Sequence, residues 1–166
     1  MKKRRGMWVF LVVFSMLAIP VLGLAMSHGK LPAAEGKALY EYITKASPYE
    51  KWSMWPGKEK LYPGTEPHGA LLTTYVNEPA LKGIKEQGGK LPDGAIVVKE
   101  NYMPDKKLAA VTVMYKKAGF NPDAGDFFWL KYTPDGKIEA EGKVEMCIGC
   151  HAKAQGGDFL FTNDKK

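Results

Sequence analysis

Ala95-Ile96-Val97-Val98-Lys99-Glu100-Asn101-Tyr102 is the stretch whose reading decides the fold. Its early positions are β-branched, and Pro92-Asp93-Gly94 just ahead of it is a turn signal, so it reads as a strand. Alternate side chains on a strand face opposite ways. Lys99 therefore shares a face with Ala95 and Val97, while Ile96, Val98, Glu100 and Tyr102 lie opposite. Both faces begin apolar, which places the strand centrally in a sheet and leaves Lys99 only partly in water.

Further strands flank this one. Leu108–Lys116 and Ala70–Val76 are rich in β-formers, and Asp126–Tyr132 and Lys137–Lys143 flank Thr133-Pro134-Asp135-Gly136 as a hairpin. Upstream, Leu39, Tyr42, Ile43 and Ala46 recur at helical spacing within Pro32–Ala46. Ser47-Pro48-Tyr49-Glu50 reads as a capping box opening a second short helix that carries Trp52 and Trp55, stopped by Pro56-Gly57. Lys58–Gly69 reads as an irregular loop, and Asn77-Glu78-Pro79 as the cap of a helix ending at Gly88-Gly89. The sum is an α+β fold: an antiparallel sheet of about five strands with flanking helices to one side.

After the last strand, Val144–Ala154 reads as a helix carrying Cys147-Ile148-Gly149-Cys150-His151, and Asp158-Phe159-Leu160-Phe161 closes the chain. Two thiols separated by two residues and followed at once by an imidazole is the spacing that attaches a c-type haem. The cysteines can reach the two vinyl groups of a porphyrin while His151 turns a ring nitrogen under the iron. A zinc site would need two further ligands, and a redox dithiol would sit early in a βαβ unit. These are the chain's only two cysteines, so one covalent haem c is expected, bound by Cys147 and Cys150 with His151 as axial ligand.

No methionine follows His151, which leaves the sixth iron position open for a small nitrogenous ligand or substrate. Small all-helical cytochromes carry the motif near the N-terminus, and four-helix cytochromes have no strands; neither fits. His68 is a sixth ligand, a distal hydrogen-bonding group or a turn cap. His28 sits at the presumed mature terminus. Phe120, Phe127, Phe128, Trp129, Phe159 and Phe161 are pocket walls or plain core.

The formal charge of +6 is concentrated at the start, where Lys2, Lys3, Arg4 and Arg5 precede an apolar run from Met7 to Met26; without those four the balance is +2. No nucleic-acid footprint remains. Residues 1–26 read as a signal peptide cut after Ala25 or as an uncleaved membrane anchor, and residues 27–166 as the haem c domain. Either way the domain is exported to the periplasm, with membrane attachment only if the leader is uncut. A periplasmic redox protein and a second copy of the chain, in a homodimer, are the protein partners expected.

Tyr75-Val76-Asn77 with Pro79, the segment Leu91–Glu100, the motif at Cys147–His151 and Gly157–Thr162 together resemble the cytochrome P-460 family, which includes the sheet proteins called cytochrome c′-beta. The likeness runs from about His68 to Thr162. It implies a hydroxylamine-oxidising haem protein in which Lys99 is bonded to a porphyrin meso carbon. The cytochrome c′-beta branch shares the fold without that bond and would bind nitric oxide without turnover. A membrane-anchored electron-transfer subunit is the third reading. Members that oxidise hydroxylamine use a carboxylate near the open iron face; His151–Gln155 contains none, leaving Glu100 and Asp158 as substitutes. Asp158 could equally be a hydrogen-bond acceptor behind the haem ligand or the residue that stops the helix.

Overall fold

A computed structural model describes residues 31–86, 90–154 and 157–161. The leader, His28, Gly88-Gly89, Gln155 and Thr162 lie outside the described residues. Among the described residues no helix is long and apolar enough to cross a membrane.

Seven strands form one antiparallel sheet among the described residues: β1 (Ser53–Met54), β2 (Tyr62–Pro63), β3 (Leu71–Val76), β4 (Ile96–Tyr102), β5 (Leu108–Lys116), β6 (Phe127–Tyr132) and β7 (Ile138–Gly142). The order is β1-β3-β4-β5-β6-β7, with β2 also pairing β3. β3 to β7 are the strands read from the sequence. The two short additions fall in stretches too brief and polar to carry a period of two. Among the described residues three α-helices accompany the sheet: α1 (Gly36–Glu41, continuing as a wider turn through Ala46), α2 (Glu78–Glu86) and α3 (Glu145–His151).

β4 is central, as its two apolar faces require, with β3 on one side and β5 on the other. On one face Ile96 and Val98 pack with Val113, Phe128 and, from α1 and the turn after it, Leu39 and Ile43. On the other, Ala95 and Val97 pack with Met114, Trp129, Ala80 of α2 and, partly buried, Cys147 and Ile148 of α3. The helices thus cover both faces rather than one. A sheet with two apolar faces needs two covers, since each buried Val, Ile or Leu contributes about 1.5–3 kcal/mol only when shielded from water.

The capping box at Ser47 does not form. The Ser47 hydroxyl accepts a hydrogen bond from the Trp52 indole at 3.0 Å, and only a single 3-10 turn, Tyr49–Lys51, follows Pro48. The predicted cap at Asn77 does form. Its Oδ1 accepts from the Ala80 amide at 3.1 Å and the Ile96 amide at 2.9 Å, while its Nδ2 donates to the Gly94 carbonyl at 2.8 Å. One side chain thereby ties the start of α2 to the start of β4. At the far end of β4 the pairing with β5 shifts between Asn101 and Tyr102.

Candidate functional site

The face of the sheet that carries Val97 and Lys99 opens into a cavity of about 680 Å³, bounded by α3, the loop before β3 and the C-terminal turn. That volume suits a cofactor-sized occupant. Lys99, His68, Trp129, Cys147, Cys150 and His151 all stand on its wall. The helical pitch of α3 places Cys147 and Cys150, three residues apart, on neighbouring positions of one helix flank.

His151 is held in one tautomer. Its Nδ1 lies 2.7 Å from the Phe159 carbonyl, which can only accept, so Nδ1 carries the proton and Nε2 keeps its lone pair. Burial lowers the pKa of the ring, which keeps that lone pair free. The Phe159 carbonyl is delivered by a turn in which Gly157, Asp158 and Phe159 have φ of 78, 49 and 62°. Two of these are non-glycine residues in the left-handed region, each costing about 1–2 kcal/mol, so the turn needs anchoring.

Asp158 supplies the anchor. Its carboxylate accepts from the Leu91 amide at 2.6 Å and from Lys116 Nζ at 2.7 Å, and the two side chains are only 11% and 13% exposed. Close by, Gly125 has no room for a Cβ, which would sit 2.8 Å from the Phe159 ring. Asp158 is not on the cavity wall; it holds the turn that holds the imidazole.

Lys99 sits between Thr74 of β3 and Thr112 of β5 in the strand register. Burial lowers its amine pKa to about 8, and among the described residues no carboxylate lies within ion-pair distance of it. About half of the amine is therefore neutral near pH 8, the form that can act as a nucleophile.

Glu100, named as a substitute proton acceptor, faces the other way. Its carboxylate takes hydrogen bonds from Tyr49 at 3.0 Å and Tyr102 at 2.8 Å, inside the core that also holds Tyr75. Strand alternation makes this unavoidable once Lys99 faces the cavity. Among the described residues the carboxylates on the cavity wall are instead Glu66 and Glu139, of which Glu139 is paired with Lys131 at 2.9 Å. Of the aromatic residues considered as walls, Trp129 and Phe161 line the cavity, whereas Phe120 and Phe128 pack on the opposite face.

His68 is brought to the cavity by β4. Asn101 Nδ2 donates to the carbonyls of Lys99 at 2.9 Å and Ala110 at 3.3 Å, which leaves Asn101 Oδ1 as the acceptor facing His68 Nδ1 at 2.9 Å. His68 therefore also carries its proton on Nδ1 and a lone pair on Nε2. Burial, with the Lys99 charge second, lowers its pKa to about 4. Its ring centre lies 6.1 Å from that of His151, the two planes perpendicular. Neither Glu66 nor this placement of His68 carries a local signal, because both depend on how the loop folds back onto β4.

The wall fits a haem on two counts: two thiols and a bare imidazole nitrogen come from one helix, and the volume is adequate. No curated protein matches the chain. The sheet, the cavity and the thiol–imidazole helix lie within residues 47–162, which match the cytochrome P460 family, and the chain belongs to that family.

Proposed function

We propose that the chain is an exported mono-haem c-type cytochrome that binds small nitrogenous species at its iron and oxidises hydroxylamine to nitric or nitrous oxide. The observation that carries this reading is the convergence of Cys147, Cys150, His151 and Lys99 on one cavity from two elements far apart in sequence. Haem, when bound, supplies a metal coordination site and a redox couple.

The chain's own residues do the rest. Cys147 and Cys150 would hold the porphyrin edge through thioether bonds, each S–H adding across a vinyl group, and His151 Nε2 would ligate iron, its ring oriented through Phe159 and Asp158. Lys99 Nζ, partly neutral near pH 8, would be the nitrogen that meets the porphyrin; a bond from it to a meso carbon removes one N–H and one C–H hydrogen and needs a two-electron oxidant such as a peroxide, which leaves as two waters. Val97, Met114 and Leu160 keep water from the inner wall. The Glu66 carboxylate stands where a proton can be taken up. Electrons pass to a periplasmic redox protein, with the domain free or tethered by its leader.

Proteolysis of the purified holoprotein followed by mass spectrometry tests the reading. A haem peptide joining the Cys147–His151 fragment to the Lys99 fragment, with hydroxylamine turnover reduced in Lys99→Leu, is expected. Absence of turnover in both forms rejects catalysis on that substrate. A second reading, capture of nitric oxide without turnover, is favoured by one observation: Glu100 and Asp158 are both engaged away from the cavity. A haem peptide lacking Lys99 selects it.

A further inference from the structure

We infer that His68 is the second axial imidazole of this site, coordinating the iron opposite His151 in the resting protein, so that an incoming ligand must displace it. This rests on the haem reading above and revises its sixth position, which the lack of a downstream methionine had left open. The residue that fills it comes from upstream.

Three observations carry the inference. The first is distance. Two imidazoles sharing one metal through bonds of about 2.0 Å, each nitrogen about 1.1 Å from its ring centre, have centres about 6.2 Å apart. The observed separation is 6.1 Å, and the 90° angle between planes is permitted because each ring turns freely about its metal–nitrogen bond. The second is chemistry. Both rings have Nδ1 fixed against an amide oxygen, Phe159 for one and Asn101 for the other, which leaves Nε2 as the ligating atom in each.

The third is placement. The turn at His68 is closed by its own backbone amide, which donates to the Thr65 carbonyl at 3.0 Å, so the ring is not needed as a cap. The next residue, Gly69, presses directly on β4: a Cβ there would lie 2.5 Å from the Tyr102 amide nitrogen. The loop is thus seated against the strand that carries Lys99 and Asn101, and the ring is presented to the cavity rather than left to water. A ring in this position that served only as core packing would not need its Nδ1 proton committed to a side chain itself fixed by two strand carbonyls.

The test is spectroscopic and uses the ferric holoprotein. Wild type is expected to show the low-spin absorption and electron paramagnetic resonance signals of a bis-imidazole haem. His68→Ala is expected to turn high-spin, to return to low-spin on addition of free imidazole, and to bind cyanide at least tenfold faster than wild type. Should His68→Ala lose its fold, His68→Met gives the second reading: a thioether-to-iron charge-transfer band shows that position 68 reaches the metal. A high-spin wild type, or a His68→Ala spectrum identical to wild type, overturns the inference while leaving the haem reading standing. A purified chain without covalent haem removes both.

Discussion

Replacing Asp158 by alanine should cost far more stability than an ordinary ion pair, although the residue touches nothing in the cavity. Its carboxylate meets Lys116 Nζ at 2.7 Å where both side chains are nearly sealed from water. Removing one partner of a buried pair leaves the other charge uncompensated, at about 3–5 kcal/mol. Within that loss sits the Leu91 amide, left without its acceptor, for which about 1–3 kcal/mol is typical. Asp158→Asn keeps an oxygen for Leu91 and tolerates the left-handed backbone, so it should lose less, about 2–3 kcal/mol. In a cycle with Lys116→Met the two sites should couple by about 1–3 kcal/mol, because the double variant leaves no stranded charge. Urea unfolding of the holoprotein gives each value. The same samples carry a second readout, since a loosened Phe159 carbonyl frees the His151 ring and should shift the haem reduction potential. A loss under about 1 kcal/mol for Asp158→Ala, the range of solvent-exposed pairs, would refute the account of a sealed anchor.

Glu100→Leu should strip the acceptor from Tyr49 and Tyr102 and lose about 2–4 kcal/mol in unfolding, yet leave the haem absorption spectrum unchanged because the carboxylate lies behind the sheet; a spectral shift comparable to that of a cavity variant would contradict the facing. Lys99 should show its lowered pKa in a haem-free chain carrying Cys147→Ala and Cys150→Ala. The neutral amine reacts, so acylation there should rise with a midpoint near pH 8 while exposed lysines follow their usual value of about 10.5. The linkage has one sign: as pH falls from 10.5 to about 8, the unfolded chain takes up a proton that the folded chain refuses, so folding stability falls across that window. A midpoint above 10 for Lys99 would rule out its burial.

What was legible in the sequence is what local chemistry encodes. Alternation and β-branching found β3 to β7, Pro92-Asp93-Gly94 and Thr133–Gly136 supplied recognisable turns, and the Asn77 cap formed as its residue type requires. The thiol–imidazole spacing is contiguous and needed no fold to be seen. Ser47 misled because a local capping pattern competes with any donor that tertiary packing brings near, and the Trp52 indole claimed it. Glu100 misled for a different reason. Its candidacy rested on chemical type, whereas the strand reading had already set it opposite Lys99. His68 was a candidate by residue type, but its placement, like that of Glu66, was unreadable because their loop is positioned by Gly69 against Tyr102 and by Asn101, contacts separated by more than thirty residues.

The back-to-back placement of Lys99 and Glu100 makes β4 intolerant of insertion or deletion. Moving the strand by one position would thrust a carboxylate toward the porphyrin site and strand an ammonium among tyrosine hydroxyls. Length variation should therefore be absorbed beyond the irregularity at Asn101/Tyr102, in the polar turn of residues 103–107, where a gained or lost residue changes no facing. Anyone grafting this pocket onto another sheet would have to transplant the parity of that strand along with its side chains.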